Sequence, residues 1–141
     1  MSRIFWDSML FIYLLEDHPT FSLRARHLLD RAYRRGDSLY TSYPVLGEVM
    51  AGAEKSSLPQ KAQAIRKTLD EMGFAYLPFD DGAVAPFSKL RGTHKVNIAD
   101  SIHLACAASA GIDLFLTGDK QLTKLDVPGI QFIAEFNNPM F

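Results

Sequence analysis

The chain has 141 residues and a mass of 15.8 kDa, 48% hydrophobic and 22% charged, which describes one globular domain with a sizeable core and excludes wholesale disorder. With 15 basic and 16 acidic residues the net charge is −1, so a histone-like electrostatic binder of nucleic acid is excluded, while an enzyme that meets nucleic acid through metal ions is not. A single cysteine, Cys106, excludes an intramolecular disulfide framework and suits a reducing compartment.

Arg3-Ile4-Phe5-Trp6 is a short β-prone run that stops at Asp7, and Met9–Glu16 reads as a short helix broken at His18-Pro19. Its apolar stretch Met9–Leu15 is far shorter than the ~20 residues that span a bilayer. Asp7 and Glu16-Asp17 interrupt any signal-peptide pattern, and the expectation is a cytoplasmic protein. From Thr20 to Arg35, apolar residues at Phe21, Leu23, Ala25, Leu28, Leu29, Ala32 and Tyr33 form a helical stripe closed by Gly36. Leu39-Tyr40-Thr41 is a second strand. Ser42 precedes a helix with Pro44 in its first turn, where proline is tolerated, running to about Glu54.

Leu58-Pro59 opens the next helix, with Ala62, Ile65, Leu69 and Met72 on one face and Gly73 at its end. Phe74–Leu77 is a third strand, Asp80–Leu90 a helix, and Gly92–Val96 a polar connection. Ile98–Ala110 is a helix stopped by Gly111, followed by the strand Ile112–Thr117, apolar apart from Asp113 and Thr117. A short helix after Asp119 and a last strand near Ile130–Ile133 complete the order. Strands alternating with helices predict an α/β fold, a parallel sheet with helices on both faces, whose ligands bind outside the carboxyl ends of the strands.

Asp7 and Asp119 fall at predicted carboxyl ends of strands. Glu48 and Asp100 lie on helices able to face the same edge, each flanked by apolar or small residues, unlike Asp80-Asp81 or Glu54-Lys55. Each also has a purely structural reading. Asp7 and Asp119 suit helix N-caps, Asn97-x-x-Asp100 fits a capping box, and Glu48 could pair with a surface cation. Together, four carboxylates at one edge would repel strongly unless cations occupied the cleft. Oxygen-only donors point to hard cations such as Mg²⁺ or Mn²⁺, and carboxylate-bound Mg²⁺ suits phosphodiester hydrolysis.

These residues form an ordered set that resembles the PIN-domain ribonucleases, and most of all the VapC-type toxins of toxin–antitoxin pairs. The set is Ile4-Phe5-Trp6-Asp7-Ser8, then Glu48 on the helix after the second strand, then Ala99-Asp100-Ser101-Ile102-x-Leu104-Ala105, then Leu116-Thr117-Gly118-Asp119. The resemblance spans residue 3 to about 133, with departures at Met9 and at Lys120-Gln121-Leu122. It implies a three-layer PIN-like domain over residues 1–135 with a tail at 136–141. It further implies Asp7, Glu48, Asp100 and Asp119 as the catalytic, metal-binding quartet for Mg²⁺ or Mn²⁺, with Ser8 and Thr117 in support. The activity it implies is metal-dependent endonucleolytic cleavage of RNA by a protein that is silenced by an antitoxin and commonly dimerises.

A degenerate PIN-like binding domain is the nearest alternative. A receiver-type phospho-acceptor domain is a more distant one, because Asp7 is followed by Ser8-Met9 rather than an acidic residue and no lysine ends the last strand. The arginine-rich helix (Arg24, Arg26, Arg31, Arg34, Arg35) reads either as a phosphate or antitoxin contact or as a solvated face. His103 shares a helix face with Asp100, as a packed core histidine or a site residue. Cys106 reads as core.

Overall fold

Strands β1 (Arg3–Trp6), β2 (Ser38–Ser42), β3 (Ala75–Leu77), β4 (Ile112–Thr117) and β5 (Ile130–Glu135) pair, all in parallel, in the order β3-β2-β1-β4-β5. The computed structural model describes residues 1–55 and 59–141. Helices α1 (Ser8–Leu15) and α2 (Ser22–Arg35) connect β1 to β2, and α3 (Tyr43–Lys55) and α4 (Pro59–Met72) connect β2 to β3. The chain then returns through α5 (Asp81–Gly92) and α6 (Ile98–Ala110) to β4, on the far side of β1. Right-handed crossovers in the two directions place α1–α4 on one face and α5–α6 on the other. This is the three-layer α/β arrangement expected from the alternation of elements.

Register divides the core between the faces, because laterally paired residues point the same way. Phe5 lies opposite Phe115, and their rings stack with centroids 4.8 Å apart. On the other face Trp6 joins Phe11 of α1 and Phe74, with centroids 5.3, 5.3 and 4.8 Å apart. Trp6, Phe5, Phe11 and Phe115 are among the largest fully buried side chains. Cys106 is buried among the alanines of α6, and burial pushes its thiol up to about 11, as a core reading requires.

Element boundaries differ from the periodicity where side chains cap the backbone. Helix α2 starts at Ser22 rather than Thr20, since His18 Nδ1 accepts the Thr20 and Phe21 N–H groups at 3.1 Å each and holds those residues in a turn. Phe74 stays outside β3 because its N–H donates back to Leu69 O at 3.3 Å, closing α4 behind Gly73. Strand β2 runs on to Ser42, whose Oγ accepts the Val45 N–H at 3.1 Å and so starts α3. Helix α5 continues two residues past Leu90, which shortens the connection to α6. The expected helix start at Leu58 lies outside the described residues.

The tail turns back onto α2. Phe136 is buried, Arg24 donates to the carbonyls of Phe136 (2.9 Å) and Asn138 (2.7 Å), and Arg31 donates to Phe141 O (2.9 Å). Arg26 pairs with Asp17 at 2.9 Å and Arg35 with Asp37 at 3.6 Å. Four of the five arginines of α2 thus bind the protein itself. No helix among the described residues is long and apolar enough to cross a membrane.

Gly129, ahead of β5, has φ +101°, and a Cβ there would collide with the Ala108 carbonyl at the end of α6. Gly129→Ala combines a left-handed backbone with a backbone clash, so it is expected to destabilise the fold by about 2 kcal/mol or more, read as a lowered urea midpoint at unchanged m-value.

Candidate active site

The sheet order reverses between β1 and β4, the point where a doubly wound sheet opens a crevice at its carboxyl edge. Asp7 follows β1 there, and Gly118-Asp119 follows β4. Backbone pairing carries past the strand end, since the Asp7 N–H donates to Leu116 O at 3.0 Å. The two loops approach so closely that a Cβ on Gly118 would sit 3.1 Å from the Met9 Cβ.

Asp7 is 5% exposed. One carboxylate oxygen accepts the Ser8 N–H at 2.8 Å, capping α1, and the other accepts the Thr117 hydroxyl at 2.9 Å. Thr117 Oγ1 in turn accepts the Asp119 N–H at 3.1 Å, so one buried hydroxyl links both strand-end loops. Burial drives the Asp7 pKa above the ordinary carboxylate range. The nearby His103, the two hydrogen bonds and then the like charge of Asp100 act on it more weakly, the last in the same direction as burial.

Asp100 lies in the first turn of α6. The Asn97 side chain caps the helix by accepting the Asp100 N–H at 2.9 Å, and the Asn97 amide donates to Asp100 Oδ2 at 2.7 Å. Glu48, on α3 from the opposite face of the sheet, reaches over the edge. Its Oε2 lies 3.1 Å from His103 Nε2 of α6, inside ion-pair distance but out of line for a hydrogen bond. Asp119 is exposed, and its Oδ1 accepts the Gln121 N–H at 2.8 Å, capping the 3₁₀ helix Lys120–Lys124.

The structure therefore groups Asp7, Asp100 and, through His103, Glu48, while the Asp119 carboxylate caps its own turn at the rim. Ser8 meets Asp7 through its backbone N–H, and Thr117 through its hydroxyl. Among the described residues no three acidic, histidine or cysteine side chains converge closely enough to hold a metal as they stand. The donor set still fits a hard cation. It is oxygen-rich, it centres on a carboxylate that burial and a like charge both penalise, and among the described residues no lysine or arginine forms an ion pair with any of the four.

Thr41, Ser42 and Ser101 carry no site role in the sequence-based expectations. All three are fully buried, and Thr41 Oγ1 donates to Trp6 O at 2.9 Å while Ser101 Oγ donates to Val96 O at 3.2 Å. With Asp7, His103 and Thr117 they are the buried polar residues among those described, and all lie at the carboxyl edge of β1, β2 and β4 or in the first half of α6. The available signal was a run of hydroxyl residues at the ends of apolar strands.

Comparison with known proteins gives a family and a fold. A PIN-domain family model matches residues 4–128. No curated protein sequence matches the chain. Among solved structures, the chain is similar to VapBC2 from Rickettsia felis bound to a DNA fragment from their promoter, at 14% identity and a TM-score of 0.76, covering 94% of this chain and 97% of that one. It is similar to VapBC-1 from nontypeable Haemophilus influenzae at 16% identity and a TM-score of 0.68, covering 96% and 98%. It is also similar to a toxin–antitoxin complex from Klebsiella pneumoniae at 21% identity and a TM-score of 0.63, covering 92% and 95%.

Because the folded-state pKa of Asp7 is raised, the native state holds its proton more tightly than the unfolded chain. Stability is then lost as pH rises from the ordinary aspartate value through the folded one. Metal-free Asp7→Asn is expected to be more stable than wild type at pH 7, with the difference closing as pH falls below about 4; urea melts across that range measure it.

Proposed function

This chain belongs to the PIN-domain family, and from that premise we propose that it is a metal-dependent endoribonuclease, the toxin of a toxin–antitoxin pair, acting in the cytoplasm. Asp7, Glu48, Asp100 and Asp119 hold Mg²⁺ or Mn²⁺ in this reading. The observation that carries it is the burial of the polar layer at one sheet edge around a carboxylate that no lysine or arginine neutralises among the described residues. Removing these four acidic residues from the net charge of −1 leaves +3 (−1 plus 4), a balance suited to holding a polyanion.

Bound among these carboxylates, the cation supplies Lewis acidity toward a phosphodiester and makes water acidic enough to act as nucleophile near neutral pH. The chain's own part is to present oxygens in fixed positions. Thr117 and the Ser8 N–H orient the two Asp7 oxygens, Asn97 orients Asp100, and Asp119 stands exposed at the rim.

The toxin reading is supported by fold likeness to proteins described as toxin–antitoxin complexes. A groove of about 280 Å³ adds to it, opening beside Glu48 between α1, α3 and α4. Ile12, Leu15, Val49 and Ile65 line it, a surface suited to an apolar antitoxin segment. A second copy of the chain is the other partner proposed. The absence of three convergent ligands among the described residues favours one competing reading, a PIN-like domain that binds without cleaving.

Calorimetric titration of metal-free wild type and Asp100→Asn with Mn²⁺ separates the two. Wild type is expected to bind and the variant to bind at least about tenfold more weakly, with cleavage of structured RNA in Mg²⁺ or Mn²⁺ lost in Asp7→Asn. A folded wild type that binds no Mn²⁺ selects the binding domain.

A further inference from the structure

We propose that His103 is a positioning residue, holding the Glu48 carboxylate of α3 against α6 so that it stands over the cleft beside Asp7. The proposal rests on the metal-site reading above and extends it to a residue outside the acidic quartet.

The two partners differ in environment. The His103 side chain is 4% exposed and belongs to the core of α6, whereas the Glu48 side chain is 41% exposed on a neighbouring helix. Helices α3 and α6 lie on opposite faces of the sheet and approach each other at its carboxyl edge, where Nε2 and Oε2 stand 3.1 Å apart. A partly exposed glutamate loses substantial rotamer entropy when fixed, and a ring locked by core packing is a rigid point against which to fix it. The same ring is the strongest influence opposing the desolvation of Asp7, so it adjoins the buried carboxylate as well as the exposed one.

A space-filling role does not account for a histidine here. Neither ring nitrogen has a hydrogen-bond partner, and buried polar nitrogens left bare cost stability that leucine or methionine at the same position would not incur. The flanking positions Leu104, Ala105 and Ala107 are apolar and fully buried. Of the two buried polar side chains on α6 among the described residues, Ser101 Oγ donates to Val96 O, whereas His103 lies 3.1 Å from a carboxylate of the proposed quartet. Groups that orient the ligands of a metal site affect metal affinity without touching the ion.

The experiment is Mn²⁺ titration of metal-free protein by calorimetry, with urea melts of every variant. Wild type, Glu48→Ala, His103→Leu, His103→Gln and the double variant His103→Leu/Glu48→Ala are compared, and His103→Met replaces the leucine variant if that one does not fold. His103→Leu is expected to be at least as stable as wild type yet to bind Mn²⁺ about tenfold more weakly. His103→Gln, whose amide nitrogen reaches the place of Nε2, should recover most of the affinity. In the Glu48→Ala background His103→Leu should change affinity no further. Wild-type affinity in His103→Leu, or an equal loss with and without Glu48, overturns the inference and leaves the metal site standing. A wild type that binds no Mn²⁺ overturns the site and the inference together.

Discussion

The burial of one carboxylate, Asp7, at the point where the sheet order reverses is the constraint that the rest of the cleft answers. An aspartate this buried normally neutralises itself by pairing with a base or by taking up a proton. Here the fold supplies two hydrogen bonds, from the Ser8 N–H and the Thr117 hydroxyl, and no lysine or arginine partner among the described residues. Both donors follow from topology. Ser8 is the first residue of the helix that Asp7 caps, and Thr117 ends the strand paired with β1. The parallel register that aligns Trp6 with Leu116 sets the next residues, Asp7 and Thr117, side by side.

The arginines of α2 show where the fold spends its positive charge. Arg24 and Arg31 grip carbonyls of the tail, and Arg26 and Arg35 pair with Asp17 and Asp37. Burial and the neighbouring Arg31 lower the Arg24 pKa, in keeping with a guanidinium used as a structural clamp. These groups are committed away from the acidic edge, which keeps its negative character although the chain as a whole is nearly neutral. Their position on a helix stripe is visible in the sequence. The partners of Arg24 and Arg31 are not, since backbone oxygens more than a hundred residues downstream have no sequence signature.

The elements themselves were legible because their signals are local: a 3.6-residue stripe closed by Gly36, a mostly apolar run bounded by Gly111 and Gly118, and Pro44 in a first turn. Strand order was less so, because alternation predicts a parallel sheet without saying that β4 sits beside β1. Asp7 and Asp119 were visible as carboxylates past strand ends, and Glu48 and Asp100 as acids in apolar settings. Which of them share space depends on how α3 and α6 cross the edge, and no local pattern encodes that. His103 was the hardest to read. A histidine three residues after Asp100 looks the same in sequence whether it fills the core or faces a glutamate across the sheet edge.

Capping a helix or turn does not withdraw an aspartate from the sheet edge. Asp7 caps α1, Asn97 caps α6 while holding Asp100, and Asp119 caps the 3₁₀ turn. A cap fixes one carboxylate or amide oxygen on backbone N–H groups and so fixes the direction of the other. Under the proposed function this resolves a difficulty of assembling four like charges without their cation. Asp7, Asp100 and Asp119 are each held by a local hydrogen bond, and the mutual repulsion is deferred to groups that are already partly solvated, Glu48, Asp100 and Asp119. Asp7 alone bears the full cost of burial. Under the proposed function, a cation at this cleft would gain most from Asp7, because the desolvation of that carboxylate has already been met in folding, and its binding would stabilise the native state in proportion.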